Sequence, residues 1–356
     1  MSSLSASDAL DALEAGNHSF IDVRSEVESG KGMIPGFELA PILHDHERHE
    51  VGICYKQKGQ DAAIELGHKL VDPSRSSRVE NWLKIGAKAP DQALLVGCWR
   101  GGLRSQIATD WIREVGREVK RIEGGYKAMR ADLIGQLNRK PEMIVLGGRS
   151  GSGKTALLRE LHFPETLDLE AMAAHRGSSF GNVWKKIQPA QASFENALAL
   201  VIRRSKKPLL LEDESKVIGS LHIPEQFYMG MLKSPLVQIE MPLADRKQLL
   251  FVDYVEEPLA SGMEKSVLRE RLLASLVGMK KRLGGALTAD LVQKMETAFK
   301  DETIFRSHEL HLVWIEKLLN EYYDRAYDHG ESLKDRPLLY RGSYEECRQW
   351  ILNRYV

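Results

Sequence analysis

The chain has 356 residues, 43% hydrophobic and 28% charged, which suits a soluble globular protein of two ordinary domains. Fifty basic residues meet fifty acidic ones, so no global field recruits nucleic acid and any such binding relies on local patches. Three cysteines, Cys54, Cys98 and Cys347, are too few for a disulfide framework; with no apolar leader and no apolar run near the ~20 residues that span a bilayer, we expect a cytoplasmic protein without membrane partners.

Residues 1–137 read as a small α/β unit. A helix over 7–15 leads into a strand, Ser19-Phe-Ile-Asp-Val-Arg24, ending in two charges. Strand ends in open α/β sheets are where sites collect, which makes Asp22 and Arg24 candidates. Gly32-Met-Ile-Pro-Gly36 is a turn, and a long polar insertion follows. Its His44-Asp-His-Glu-Arg-His49 has metal-like composition, but no cysteine joins it and the spacing also suits an exposed loop, so no firm metal site is assigned. Tyr55 and Lys56 offer stacking and charge to RNA, in what reads as a solvated loop.

Leu94-Leu-Val-Gly97 reads as a short buried strand, and beyond Ser105 apolar residues recur at helical spacing. Between them lies Cys98-Trp-Arg-Gly-Gly-Leu-Arg104. Cys98 therefore sits at a helix N-terminus, where unpaired N–H groups, the helix dipole, Arg100 and Arg104 all favour thiolate. Gly101 and Gly102 let the backbone curl so that several N–H groups face one anion. This loop, the Asp-Val-Arg strand end, the Ile-Pro-Gly turn and Ile122-Glu-Gly-Gly-Tyr126 together resemble rhodanese-type sulfurtransferases. Cys98 and Arg104 enclose five residues, one more than the usual sulfur-transferring loop and equal to that of its phosphatase relatives. The wider cradle suits phosphate or an analogue carrying a larger chalcogen.

Asn138-Arg-Lys-Pro141 marks a boundary. Met143-Ile-Val-Leu-Gly147 then reads as a buried strand running into Gly148-Arg149-Ser150-Gly151-Ser152-Gly153-Lys154-Thr155 and a helix. This is the G-x-x-x-x-G-K-[ST] phosphate loop in its required strand–loop–helix setting. Its glycines let N–H groups wrap a diphosphate, Lys154 adds a cation, and Thr155 offers a hydroxyl to Mg²⁺. A second apolar strand ends in Glu212-Asp213-Glu214, so Glu212 or Asp213 is a candidate magnesium acid. His175, in a polar loop, is a candidate acid or base. From about Pro258 the pattern turns helical. Lys280 and Lys281, with Arg203 and Arg204, are candidate phosphate-backbone contacts.

Both motifs, together with Tyr55-Lys-Gln57, His175-Arg-Gly-Ser178, Gln188-Pro-Ala-Gln191 and Glu212-Asp-Glu-Ser215, resemble the bacterial tRNA 2-selenouridine synthase family over nearly the whole chain. The resemblance implies an N-terminal rhodanese-like α/β domain (1–137) and a P-loop NTPase-like α/β domain (138–356) with a helical region from about 258. It implies a transferase that exchanges sulfur for selenium in wobble 2-thiouridine of tRNA, using selenophosphate, through a geranylated intermediate made from geranyl diphosphate. Cys98 is then the position that carries selenium or drives its transfer, and a selenophosphate-supplying enzyme is an expected partner. Two alternatives stay open on the residues alone. One is a sulfurtransferase or phosphatase-like domain fused to an NTPase or kinase; the other is a non-catalytic docking module.

Overall fold

The computed structural model describes residues 3–161, 163–184, 187–301, 303–328 and 336–355. The chain forms two compact units, Met1–Arg139 with Pro189–Arg204, and Lys140–Gln188 with Ser205–Val356.

The first unit opens with β1 (Ser3–Leu4) and α1 (Ala6–Ala15), which begins where the Ser5 side chain accepts the Asp8 N–H at 3.1 Å. β2 (Phe20–Asp22), α2 (Glu26–Gly30) and β3 (Phe37–Leu39) follow. The polar insertion is helical rather than loop: α3 (Asp45–Lys58), α4 (Gln60–Val71) and α5 (Arg75–Gly86). The sequence hid α3 because it has almost no apolar stripe. A carboxylate starts it instead, with Glu47 accepting the His44 N–H at 2.7 Å. β4 (Leu94–Gly97), α6 (Leu103–Glu114), β5 (Val119–Ile122) and α7 (Gly125–Leu137) complete this stretch. The strands pair in parallel in the order β1-β5-β4-β2-β3. A parallel sheet is covered on both faces, which is why Leu94, Leu95 and Val96 are all buried. From β2 the chain runs out to β3 and returns to β4 on the other side, so a switch point opens between β2 and β4 with Asp22 opposite Gly97.

The second unit starts with β6 (Met143–Gly147), α8 (Lys154–Leu161), β7 (Thr166–Leu167) and α9 (Leu169–Met172). Helix α10 (Gln191–Arg204) then folds into the first unit, although its sequence position places it in the second domain. There Ser193 accepts the Met33 N–H at 2.9 Å, and buried Asn196 donates to the Met33 carbonyl at 2.9 Å. Arg130 reaches the Ala192 carbonyl, Asn196 and Glu195. The chain returns with β8 (Leu209–Glu212), the hairpin β9 (Val217–Ile218) and β10 (Leu221–His222), α11 (Glu225–Lys233) and β11 (Leu236–Ile239). The helical region begins earlier than Pro258, at α12 (Leu243–Phe251), and continues through α13 (Glu257–Ala260), α14 (Lys265–Gly278), α15 (Lys280–Leu283), α16 (Gly285–Lys300), α17 (Ile304–Leu318) and α18 (Asp324–Asp328). It does not run to the end, for β12 (Leu338–Gly342) and α19 (Tyr344–Tyr355) rejoin the sheet. This parallel sheet has the order β12-β11-β6-β8-β7, so β6 is the strand from which the chain turns both ways. Among the described residues no helix is long and apolar enough to cross a membrane.

Candidate functional site

In the first unit, the turn between β4 and α6 carries Cys98 at the switch point. Cys98 is buried at 3% exposure, and its Sγ lies 3.3 Å from the Ser105 Oγ, which donates to the Gly102 carbonyl at 2.9 Å. Trp99, Arg100, Gly102 and Leu103 are exposed around it. The far wall is the Gly124-Gly125-Tyr126 turn, where the Tyr126 and Lys127 N–H groups donate to the Cys98 and Trp99 carbonyls at 2.8 and 3.0 Å. The approach is so close that a Cβ at Gly125 (φ +55°) would overlap the Cys98 carbonyl, and one at Gly101 (φ +63°) would crowd the Ile122 carbonyl.

The charges around this loop are arranged differently from the sequence expectation. Arg24 is fully buried and committed: it holds Asp22 at 2.6–3.0 Å, donates to the Gly32 carbonyl at 2.8 Å and lies 4.0 Å from the centre of the Tyr126 ring. Asp22 and Arg24 thus neutralise each other beside the loop. Arg104 forks onto Glu28, at 2.5 and 3.0 Å, and Arg48 reaches the same carboxylate at 3.2 Å. Burial alone would raise the Glu28 carboxyl, but the hydrogen bonds and charge of Arg104 bring it down to about 2. Sequence reading missed Glu28; its trace was the Ser25-x-x-Glu28 helix start, where Glu28 accepts the Ser25 N–H at 3.2 Å.

In the second unit, the loop between β6 and α8 has Gly148, Gly151 and Gly153 all at positive φ. Lys154 Nζ donates to the Gly148 carbonyl at 2.8 Å. Arg149 meets Asp328 at 2.7 Å and Asp324 at 3.5 Å, while buried Arg246 braces the loop by donating to the Ser150 carbonyl at 2.9 Å. Ser152 is buried at 1% exposure. Thr155 Oγ1 donates to Glu212 at 2.6 Å and lies 3.4 Å from Glu170. Glu170, Glu212 and Glu214 form a group whose ligating oxygens lie within 4.8 Å of one another. Burial, then the charges of Glu170 and Glu214, push the Glu212 carboxyl well above its ordinary range; burial and Glu170 raise Glu214 to about 8.

Asp213 is not in that group. Its side chain is buried against Arg336 at 2.9 Å, leaving Glu212 as the acid that faces Thr155. Alternation along the strand explains this, since successive side chains point to opposite faces. His175 donates its main-chain N–H to the Glu170 carbonyl at 3.0 Å, and its ring packs against the Gly181 backbone. Glu170 and Glu214 were visible only as neighbours of sequence motifs, without a reason to converge.

The remaining candidates lie apart from these loops. His44 joins Glu26 at 2.6 Å at the start of α3, and His44, His46 and His49 form no converging ligand set among the described residues. Tyr55 and Lys56 are exposed on α3, Lys280 and Lys281 on α15, and Arg204 at the end of α10. Arg203 is neutralised by Asp11 and Glu14, each at 2.7 Å, so it is not a free cation.

A family model described as the tRNA 2-selenouridine synthase AAA domain matches residues 141–356. The tRNA 2-selenouridine synthase of Shewanella loihica is 41% identical over 352 residues, covering 95% of this chain and 93% of that protein. The chain belongs to the tRNA 2-selenouridine synthase family. The enzyme of the same name from Marinobacter nauticus is also 41% identical, over 94% of each chain. In this family member the thiol loop lies outside the matched AAA segment and the phosphate loop lies inside it.

Proposed function

We propose that the protein replaces the sulfur of wobble 2-thiouridine in tRNA by selenium from selenophosphate, by way of a geranylated 2-thiouridine made from geranyl diphosphate. The observation that carries this reading is the presence, in one member of this family, of two chemically distinct anion loops, one built on a thiol and one on a lysine. The first unit is read as rhodanese-like: a parallel sheet with a cysteine loop at its switch point and a helix N-terminus behind it.

The two loops suit two steps. A thiocarbonyl sulfur leaves badly, so it first attacks the allylic carbon of geranyl diphosphate, forming S–C as C–O breaks and pyrophosphate departs. Lys154 and the N–H groups of the loop over 148–155 take up the charge developing on pyrophosphate. The alkylated sulfur then leaves as geranylthiol when the selenium of selenophosphate attacks the base carbon. Attack of water at phosphorus breaks P–Se, leaving selenium on the base and releasing phosphate. Selenophosphate is held by the Cys98–Arg104 loop, with Cys98 directing its selenium to the base carbon.

Magnesium fits the acid group of the second unit. Three carboxylates crowd together there with a threonine hydroxyl already hydrogen-bonded to Glu212, an arrangement that a divalent cation or a shared proton relieves. Thr155, Glu212 and Glu170 would hold it. Bound there, it would add positive charge beside the leaving pyrophosphate. Exposed Tyr55, Lys56, Arg204, Lys280 and Lys281 supply salt-sensitive contacts to tRNA.

The test is to incubate the protein with thiolated tRNA and to analyse the nucleosides by mass. Geranyl diphosphate alone yields geranylated thiouridine, and adding selenophosphate yields selenouridine. Nucleotide turnover without RNA, and no change in the nucleosides, overturns the proposal in favour of a fused NTPase.

A further inference from the structure

The Cys98 loop has an outer surface that an inorganic donor does not use. We propose that Trp99 is a stacking platform that receives the target nucleobase beside Cys98; this rests on the tRNA reading above. Trp99 is 39% exposed and Leu103 is 49% exposed, with Arg100 exposed between them. A tetrahedral anion is held by N–H groups and cations and gains nothing from a wet indole ring. A nucleotide gains from both, stacking its base on the ring and meeting an arginine with its phosphate. Enzymes that do chemistry on a base take it out of its stack, and an aromatic surface one residue from the nucleophile replaces the stacking so lost.

The ring is also held ready. One face rests on Tyr126, with centroids 5.4 Å apart and planes inclined by 25°. Tyr126 is only 8% exposed, lies against the Arg24 guanidinium at 4.0 Å, and accepts a hydrogen bond from Asn196 Nδ2 at 3.3 Å. Arg24 is in turn fixed by Asp22 and the Gly32 carbonyl. The buried Asp22–Arg24 pair therefore acts as the foundation of an aromatic ledge, and the Trp99 carbonyl is pinned by the Lys127 N–H at 3.0 Å. A surface already ordered loses little entropy when a base lands on it.

The experiment measures binding of an anticodon stem-loop RNA with wobble 2-thiouridine, and of the same RNA with an abasic wobble position, at one fixed salt concentration. Trp99→Leu is expected to weaken binding of the intact RNA roughly ten- to a hundredfold, with Trp99→Phe close to the parent. The abasic RNA should bind the parent as weakly as the intact RNA binds Trp99→Leu, and combining both changes should cost no more than either. In turnover, the KM for tRNA rises in Trp99→Leu while that for selenophosphate does not. Thermal melting shows whether the variant keeps its fold, and Trp99→Met replaces it if it does not. Parental affinity in folded Trp99→Leu, or fully additive losses, overturns the stacking role alone. A parent protein that does not bind the intact RNA overturns the tRNA reading and this inference with it.

Discussion

In the proposed anion site of the Cys98 loop, Arg104 supplies charge together with exposed Arg100, and Glu28 already engages two of the Arg104 N–H groups. An incoming dianion must compete with that carboxylate, which stays ionised throughout the working pH range because Arg104 holds it near 2 despite burial. Replacing Glu28 by Gln frees the guanidinium, so inorganic phosphate measured by calorimetry should bind roughly three- to tenfold more tightly. Unchanged affinity would show that Arg104 does not face the anion. The spacing of Cys98, the glycines and Arg104 was legible because those residues are contiguous. Glu28 was not, since it meets Arg104 across 76 residues, nor was the Asp213–Arg336 pair across 123. Sequence displays a charge but not its partner, which is why Arg24 and Arg203 looked available and are in fact neutralised.

The ends of β8 and α9 bring like charges together, and that has a sign in pH. Glu214 titrates near 8 in the fold, against about 4.5 when unfolded, so the folded state keeps a proton that the unfolded chain has lost between those values. In magnesium-free buffer stability should fall as pH rises from about 4.5 to 8, and Glu214→Gln should flatten that slope in thermal melts. Added magnesium should stabilise most at the alkaline end; a pH-independent melt would contradict the crowding. Helix α10 carries a second prediction. Asn196 is fully buried between the Met33 carbonyl and the Tyr126 hydroxyl, so Asn196→Ala leaves both unpaired and should cost the first unit about 1–3 kcal/mol in denaturant titration. No loss would mean those groups find other partners.

Across the molecule, two strand–loop–helix motifs announced two parallel sheets, because glycine spacing and short apolar runs are local signals. The strand orders, the return of β12 to its sheet and the folding of α10 into the first unit depend on contacts between distant segments. Periodicity does not record these. Polar α3 stayed hidden for a different reason: a helix started by a capping carboxylate and lacking an apolar stripe leaves no pattern to read. The central claim is that the lysine loop serves alkylation and the thiol loop serves selenium transfer. The most direct measurement supplies thiolated tRNA, geranyl diphosphate and selenophosphate to Lys154→Ala and Cys98→Ser, and weighs the nucleosides. Lys154→Ala should leave 2-thiouridine unchanged and Cys98→Ser should stop at geranylated 2-thiouridine. Normal geranylation by the first, or normal selenouridine from the second, would contradict the account.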